Sequence, residues 1–138
     1  MNERSAPRSE TILAVVLRLS GICLLTAIIP AVMPFSWMQE IHRQLGMGEL
    51  PTEPIVGYLT RSLSGLYALH GALVLFLSLD VRRFLPVIKC FAGLGVVFGV
   101  GMVVLDAAVG MPLPWSICEG TSVVLLSLFL LWLSRRVV

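Results

Sequence analysis

Polar residues in this chain come in clumps. Between the clumps lie four apolar stretches, at about residues 11–33, 57–79, 85–109 and 115–134. A helix crosses the hydrocarbon core of a bilayer with about 20 mostly apolar residues, and each stretch meets that length. The lipid interior holds no water to satisfy backbone N–H and C=O groups, so each stretch is predicted to be helical. Transmembrane strands would alternate apolar and polar positions over short segments, and these runs do not alternate. The pattern predicts an all-α membrane protein in which four transmembrane helices form an antiparallel bundle, as a single integral-membrane domain over residues 1–138. The first stretch reads as a retained helix rather than a cleaved signal peptide. Arg18 interrupts it, it is long for a signal-peptide core, and no convincing small-x-small cleavage site precedes Ser36.

The long polar-rich stretch inside the chain is SWMQEIHRQLGMGELPTEP, residues 36–54. Ser36 followed three residues later by Gln39 matches a capping box. Trp37, Ile41 and Leu45 recur at intervals of four, with Met38 beside them, which draws an apolar stripe on a short helix. Gly46 is a natural stop, and Pro51 and Pro54 favour an extended return. A short amphipathic helix in the first outer loop is therefore predicted, its stripe turned toward the membrane or the bundle. Such a helix serves either as a cap on the bundle or as a lid over an outward cavity. His42 with Glu40 and Glu49 is a conceivable metal set, but a solvated histidine is the simpler reading, and no metal is predicted.

Composition sharpens the class. The chain is 57% hydrophobic and 13% charged, with a mean hydropathy of +0.94, whereas average soluble domains carry about 25% charged residues. The net charge of +2 is scattered, which gives no footprint for nucleic acid. Cys23, Cys90 and Cys118 lie in or beside apolar runs without C-x-x-C or zinc spacing, and read as small packing residues. Basic residues near the span ends set orientation. Arg4, Arg8, Arg82, Arg83, Lys89, Arg135 and Arg136 fall on one side, and Arg43 and Arg61 on the other. Both termini are predicted to be cytoplasmic, in a multi-pass protein of the inner (plasma) membrane.

Ionisable groups inside spans are expensive and mark functional hypotheses. Arg61, Asp106 and Glu119 each lie about one turn inside the outer end of their helix. They form either a structural ion cluster or a layer whose surplus negative charge holds a proton or a cation. Arg18 is expected to snorkel toward the cytoplasmic end, with Asp80 as an available partner. His70 is near the middle of the second span, where it either hydrogen-bonds a neighbour such as Ser20 or Ser127 or handles protons. Haem ligation fails because His42 lies outside the membrane. Gly95 and Gly99 form a G-x-x-x-G extended by Gly93 and Gly101, and Gly65, Ala68 and Ala72 give the second span a similar stripe. The two faces are expected to meet, although a homodimer seam is equally compatible with the motif.

There is no P-loop, G-x-S-x-G, H-E-x-x-H or dinucleotide fingerprint, and no convincing internal repeat. The order "SWMQEIHRQLGMGELP" after the first span, "YLTRSLSGLYALHG" entering the second and "SLDVRRFLP" at the inner turn resembles small four-helix bacterial inner-membrane proteins, loosely DoxX-like. The resemblance implies a four-helix inner-membrane protein and transfers no active-site residue. Three functions compete. The first is a structural or accessory membrane protein, with the lipid bilayer, other membrane proteins or a second copy as partners and without a cofactor. The second is proton-coupled or small-solute transport through His70 and the Arg61/Asp106/Glu119 layer. The third is an enzyme acting on a lipid or quinone. For topology, the expected outcome in a background lacking the native cysteines is that Glu49→Cys reacts with an impermeant maleimide on intact cells, while Ser5→Cys reacts only after permeabilisation. The reverse pattern overturns the orientation.

Overall fold

A computed structural model describes residues 8–137, and every regular element in it is helical. In chain order these are α1 (Arg8–Leu25), α2 (Ile28–Val32), α3 (Phe35–Gln44), α4 (Pro54–Leu77), α5 (Leu85–Val109), α6 (Leu113–Ser116), a π-helical turn (Ile117–Thr121) and α7 (Ser122–Ser134). Three helical segments are long and apolar enough to cross a membrane: Arg8–Val32, Leu85–Val109 and Leu113–Ser134. α4 has 24 residues, but Arg61 and His70 dilute its apolar character. In each of the three segments only 17% of the most apolar window is buried. The outward side chains are large and apolar, among them Leu19, Val32, Val97, Val104 and Leu125. Water cannot stabilise so much contiguous apolar surface, whereas acyl chains can. The chain is a membrane protein by this criterion.

The first predicted span is interrupted at Thr26–Ala27. The cause is Pro30, which has no N–H to donate to Thr26 and whose ring crowds the Thr26 carbonyl. That carbonyl accepts from Ile29 instead at 2.9 Å, and the Ala27 N–H turns back to Leu24 at 3.1 Å. These are tightened i→i−3 bonds, which join α1 to α2 with a kink. Met33 is extended ahead of Pro34, as the residue before a proline prefers. α3 lies where the polar stretch predicted a helix, but Ser36 does not cap it. Pro34 is the N-cap residue and no side chain bonds the first turn. Proline's fixed φ already suits a helix start, which places Ser36 inside the first turn. The far end of α3 closes as expected. Gly46 adopts φ +78°, its N–H bonds the Arg43 carbonyl at 3.0 Å, and the Met47 N–H bonds the His42 carbonyl at 3.2 Å. That pair is a Schellman motif.

Contacts group the chain into two compact units, Met1–Arg18 with Leu77–Val138, and Leu19–Phe76. In the first unit α5 and α7 pack antiparallel through small residues. A Cβ placed on Gly99 would lie 2.7 Å from Val124 Cγ2 and 2.9 Å from the Gly120 carbonyl. A Cβ on Gly120 would meet the Val103 N–H at 2.8 Å, and one on Gly95 would strike the Ser127 hydroxyl. In the second unit α1 and α4 meet in the same way, since a Cβ on Gly71 would lie 2.6 Å from the Leu25 nitrogen and 2.7 Å from the Gly21 carbonyl. The G-x-x-x-G of α5 thus serves the α7 contact. A Cβ on Gly65, Gly93 or Gly101 meets nothing within 4 Å. The cysteines also differ from expectation: all three are free and exposed on helix surfaces.

Gly99→Ala is expected to destabilise the protein by about 1–3 kcal/mol, the usual cost of overpacking a tight contact. Gly93→Ala on the same helix should be neutral or stabilising by up to ~1 kcal/mol, because alanine orders more easily than glycine in a helix. Thermal unfolding in detergent measures both.

Candidate functional site

The first unit has two polar regions, one at each end of the α5–α7 pair. At one end, here called the basal end, three chain segments converge. The Ser9 hydroxyl donates to the Arg136 carbonyl at 3.0 Å, tying the start of α1 to the C-terminal segment. Arg82 Nε donates to Glu10 Oε2 at 2.5 Å, tying α1 to the turn between α4 and α5. The Asp80 carboxylate accepts the Arg83 backbone N–H at 3.0 Å and shapes that turn. The Arg136 guanidinium stacks 4.4 Å from the Trp132 ring, and that of Arg83 lies 5.5 Å from Phe84. The basic residues of the turn and the C-terminal segment, assigned to one side from sequence, do share one end of this unit.

Arg18 and Asp80 line one open cleft of about 270 Å3 at this end, together with Glu10, Val15 and Leu79. The ion pair expected between Arg18 and Asp80 is not what forms; Arg82 pairs with Glu10 instead. Among the described residues Arg18 makes no ion pair. The sequence carried a signal for Glu10 that composition alone hides: Glu10, Ala14 and Arg18 are spaced i, i+4, i+8 and so share one face of α1.

Asp106 and Glu119 lie toward the opposite end. Gly120 faces Val103 across the contact, so the two acidic residues lie within about one turn of each other along the pair. Asp106 is 3% exposed, and its Oδ2 is buried without a hydrogen-bond partner among the described residues. Its backbone carbonyl accepts the Gly110 and Met111 N–H groups and closes α5 through the left-handed Gly110. Glu119 is half-buried within the π-helical turn. The Ser122 hydroxyl donates back to the Cys118 carbonyl at 2.5 Å and the Glu119 carbonyl at 3.0 Å, which satisfies groups that the widened turn displaces.

The other candidates belong to the second unit. Arg61 is exposed on α4, and its Nη2 donates to the Met33 carbonyl at 3.2 Å, one of the carbonyls left over where α2 ends. His70 is half-buried on α4 beside Gly71, and Ser20 precedes Gly21 on α1, so these two residues share one level of the α1–α4 contact. Ser127, the other suggested partner for His70, is buried against Gly95 in the first unit. The His42 Nδ1 bonds the Gly48 carbonyl at 3.0 Å and so holds the turn after α3. Glu40 accepts from Arg43 and from Gln44. No group of three metal-ligating side chains is gathered among the described residues. On α3 it is Met38 that is buried, while Trp37, Ile41 and Leu45 are exposed. The stripe is therefore left largely uncovered by the protein.

A double-mutant cycle on Glu10→Gln and Arg82→Gln, read by thermal stability in detergent, should give a coupling of ~0.5–1 kcal/mol, small because Arg82 is more than half exposed. The coupling should shrink in high salt.

Compared with protein-family models, with curated proteins and with solved structures, the chain matches none.

Proposed function

We propose that this chain is a small four-span inner-membrane protein of structural or accessory type, which associates through its α5 surface with a helix of another membrane protein or of a second copy. One observation carries the reading. α5 has two glycine faces and α7 uses only one of them. Gly93, Val97 and Gly101 are spaced i, i+4, i+8 on the other face, with open space beside both glycines, and Val97 is 70% exposed. In lipid, helices associate where small residues let backbones approach, because apolar burial alone gives no advantage over acyl chains. For the four-span count, α4 contributes 24 residues, about 36 Å of helix. That length suits a span whose polar residues are covered.

A photo-crosslinking residue at Val97 in intact membranes should capture a protein chain in the wild-type background. Gly93→Leu with Gly101→Leu should abolish that capture while leaving thermal stability unchanged. Labelling of lipid alone in the wild type would overturn the reading.

A second reading, proton or small-solute transport, has its own support in the buried, unpartnered Asp106 Oδ2 and in the π-helical turn at Glu119, a geometry that recurs at functional sites. In that reading Asp106 and Glu119, within about one turn of each other in the first unit, hold the proton or the cation. Asp106→Asn, folded by circular dichroism, should then abolish proton or solute uptake into proteoliposomes, and unchanged uptake removes the reading.

A further inference from the structure

We infer that the basal cleft of the first unit is a lipid site, holding the head group of an amine-bearing phospholipid with its phosphate on Arg18 and its ammonium on Asp80. The site is built from one face of α1 and from the turn that follows α4. Arg18 lies about 10 Å along α1 from Thr11, where the apolar run begins. Side chains on a helix lean toward its N-terminus, and arginine snorkels, so its guanidinium reaches back toward the head-group level at the basal end. Among the described residues no carboxylate pairs with it. Glu10, the nearest acidic residue on that face, is engaged by Arg82 at 2.5 Å.

Asp80 accepts the Arg83 N–H through Oδ1 at 3.0 Å, and a carboxylate has capacity for further donors on its second oxygen. The cleft therefore offers one unneutralised cation and one unneutralised carboxylate within about 270 Å3. A zwitterion complements that arrangement. A head group with negative charge alone would satisfy Arg18 but would face two carboxylates, and a quaternary ammonium has no N–H to give Asp80. The cleft opens beside apolar side chains, Val15 at 45% and Leu79 at 71% exposure, along which acyl chains can run. This inference requires only that α1 sits in a membrane. It is independent of the α5 partner and of which leaflet the basal end faces.

Native mass spectrometry of the full chain in detergent, titrated with phosphatidylethanolamine, phosphatidylcholine and phosphatidylglycerol of matched acyl chains, tests it. Phosphatidylethanolamine should bind several-fold more tightly than the other two. Arg18→Gln should weaken it about tenfold, the loss of one charge-assisted contact, and Arg18→Lys should keep most of the binding. Asp80→Asn should erase the preference over phosphatidylcholine while leaving the phosphate contact. Equal binding of the three lipids by the wild-type protein overturns the inference without recourse to any variant. So does an Arg18→Gln protein that is folded by circular dichroism and binds as before. Free phosphoethanolamine that competes as well as the lipid would make this a site for a soluble phosphoamine and would overturn the lipid assignment.

Discussion

Close approach of helix backbones at glycine is the constraint on which the rest of this structure depends. Gly99 and Gly120 let α5 and α7 touch through main-chain atoms, and Gly21 and Gly71 do the same for α1 and α4. In lipid the hydrophobic effect does not drive such helices together, so contact has to come from dispersion and shape, both of which fall steeply with distance. A methyl group at Gly71 would meet backbone rather than a yielding side chain, and one at Gly120 would meet the Val103 backbone as well as its side chain. Both helix pairs are thus specified by an absence of side chain at a few positions, while bulky residues such as Val97 and Leu125 face outward.

Polar chemistry is arranged around those contacts. At the basal end the ties are made by Ser9, Glu10 and Arg82, which connect distant parts of the chain, and the exposure of Arg82 relieves the cost of charge there. Deeper in, polar side chains are placed against small-residue contacts or helix ends. Ser127 packs at Gly95, Asp106 is at the last turn of α5, and Glu119 is in the turn where the helix widens. Asp106 stands apart from the others because one of its oxygens has no donor among the described residues. A buried polar atom in that state is costly, and the cost is what makes this residue, rather than the more exposed Arg61, the centre of a transport reading.

The basal cleft and the free face of α5 belong to different chemistries. The cleft presents an arginine and a carboxylate that do not pair with each other, beside apolar rims, which suits a head group. The α5 face presents glycine and valine with no polar atom to offer, which suits another helix. A protein that carries both can sit in a defined lipid environment while holding a neighbour.

Much of the architecture was legible along the chain. Apolar run length sets α1, α5 and the α6–α7 segment, because a bilayer admits backbone only as satisfied helix. The i+4 spacing from Trp37 to Leu45 sets α3, and Gly46 and Gly110 set their stops through positive φ. These are local constraints, written in consecutive residues. The kink at Thr26 was equally local, since Pro30 dictates it, but it is masked by the hydropathy of its neighbours. What only the tertiary structure decided is which faces meet. Gly93, Gly95, Gly99 and Gly101 are equivalent as letters, yet α7 chooses Gly95 and Gly99 and leaves the other two open. Arg18 had Asp80 and Glu10 within plausible reach, and the structure gives Glu10 to Arg82 instead. Such choices follow from rotation about the helix axis and from the path of a turn. A sequence pattern constrains neither, because a helix that is apolar all round carries no periodic signal for the face it buries.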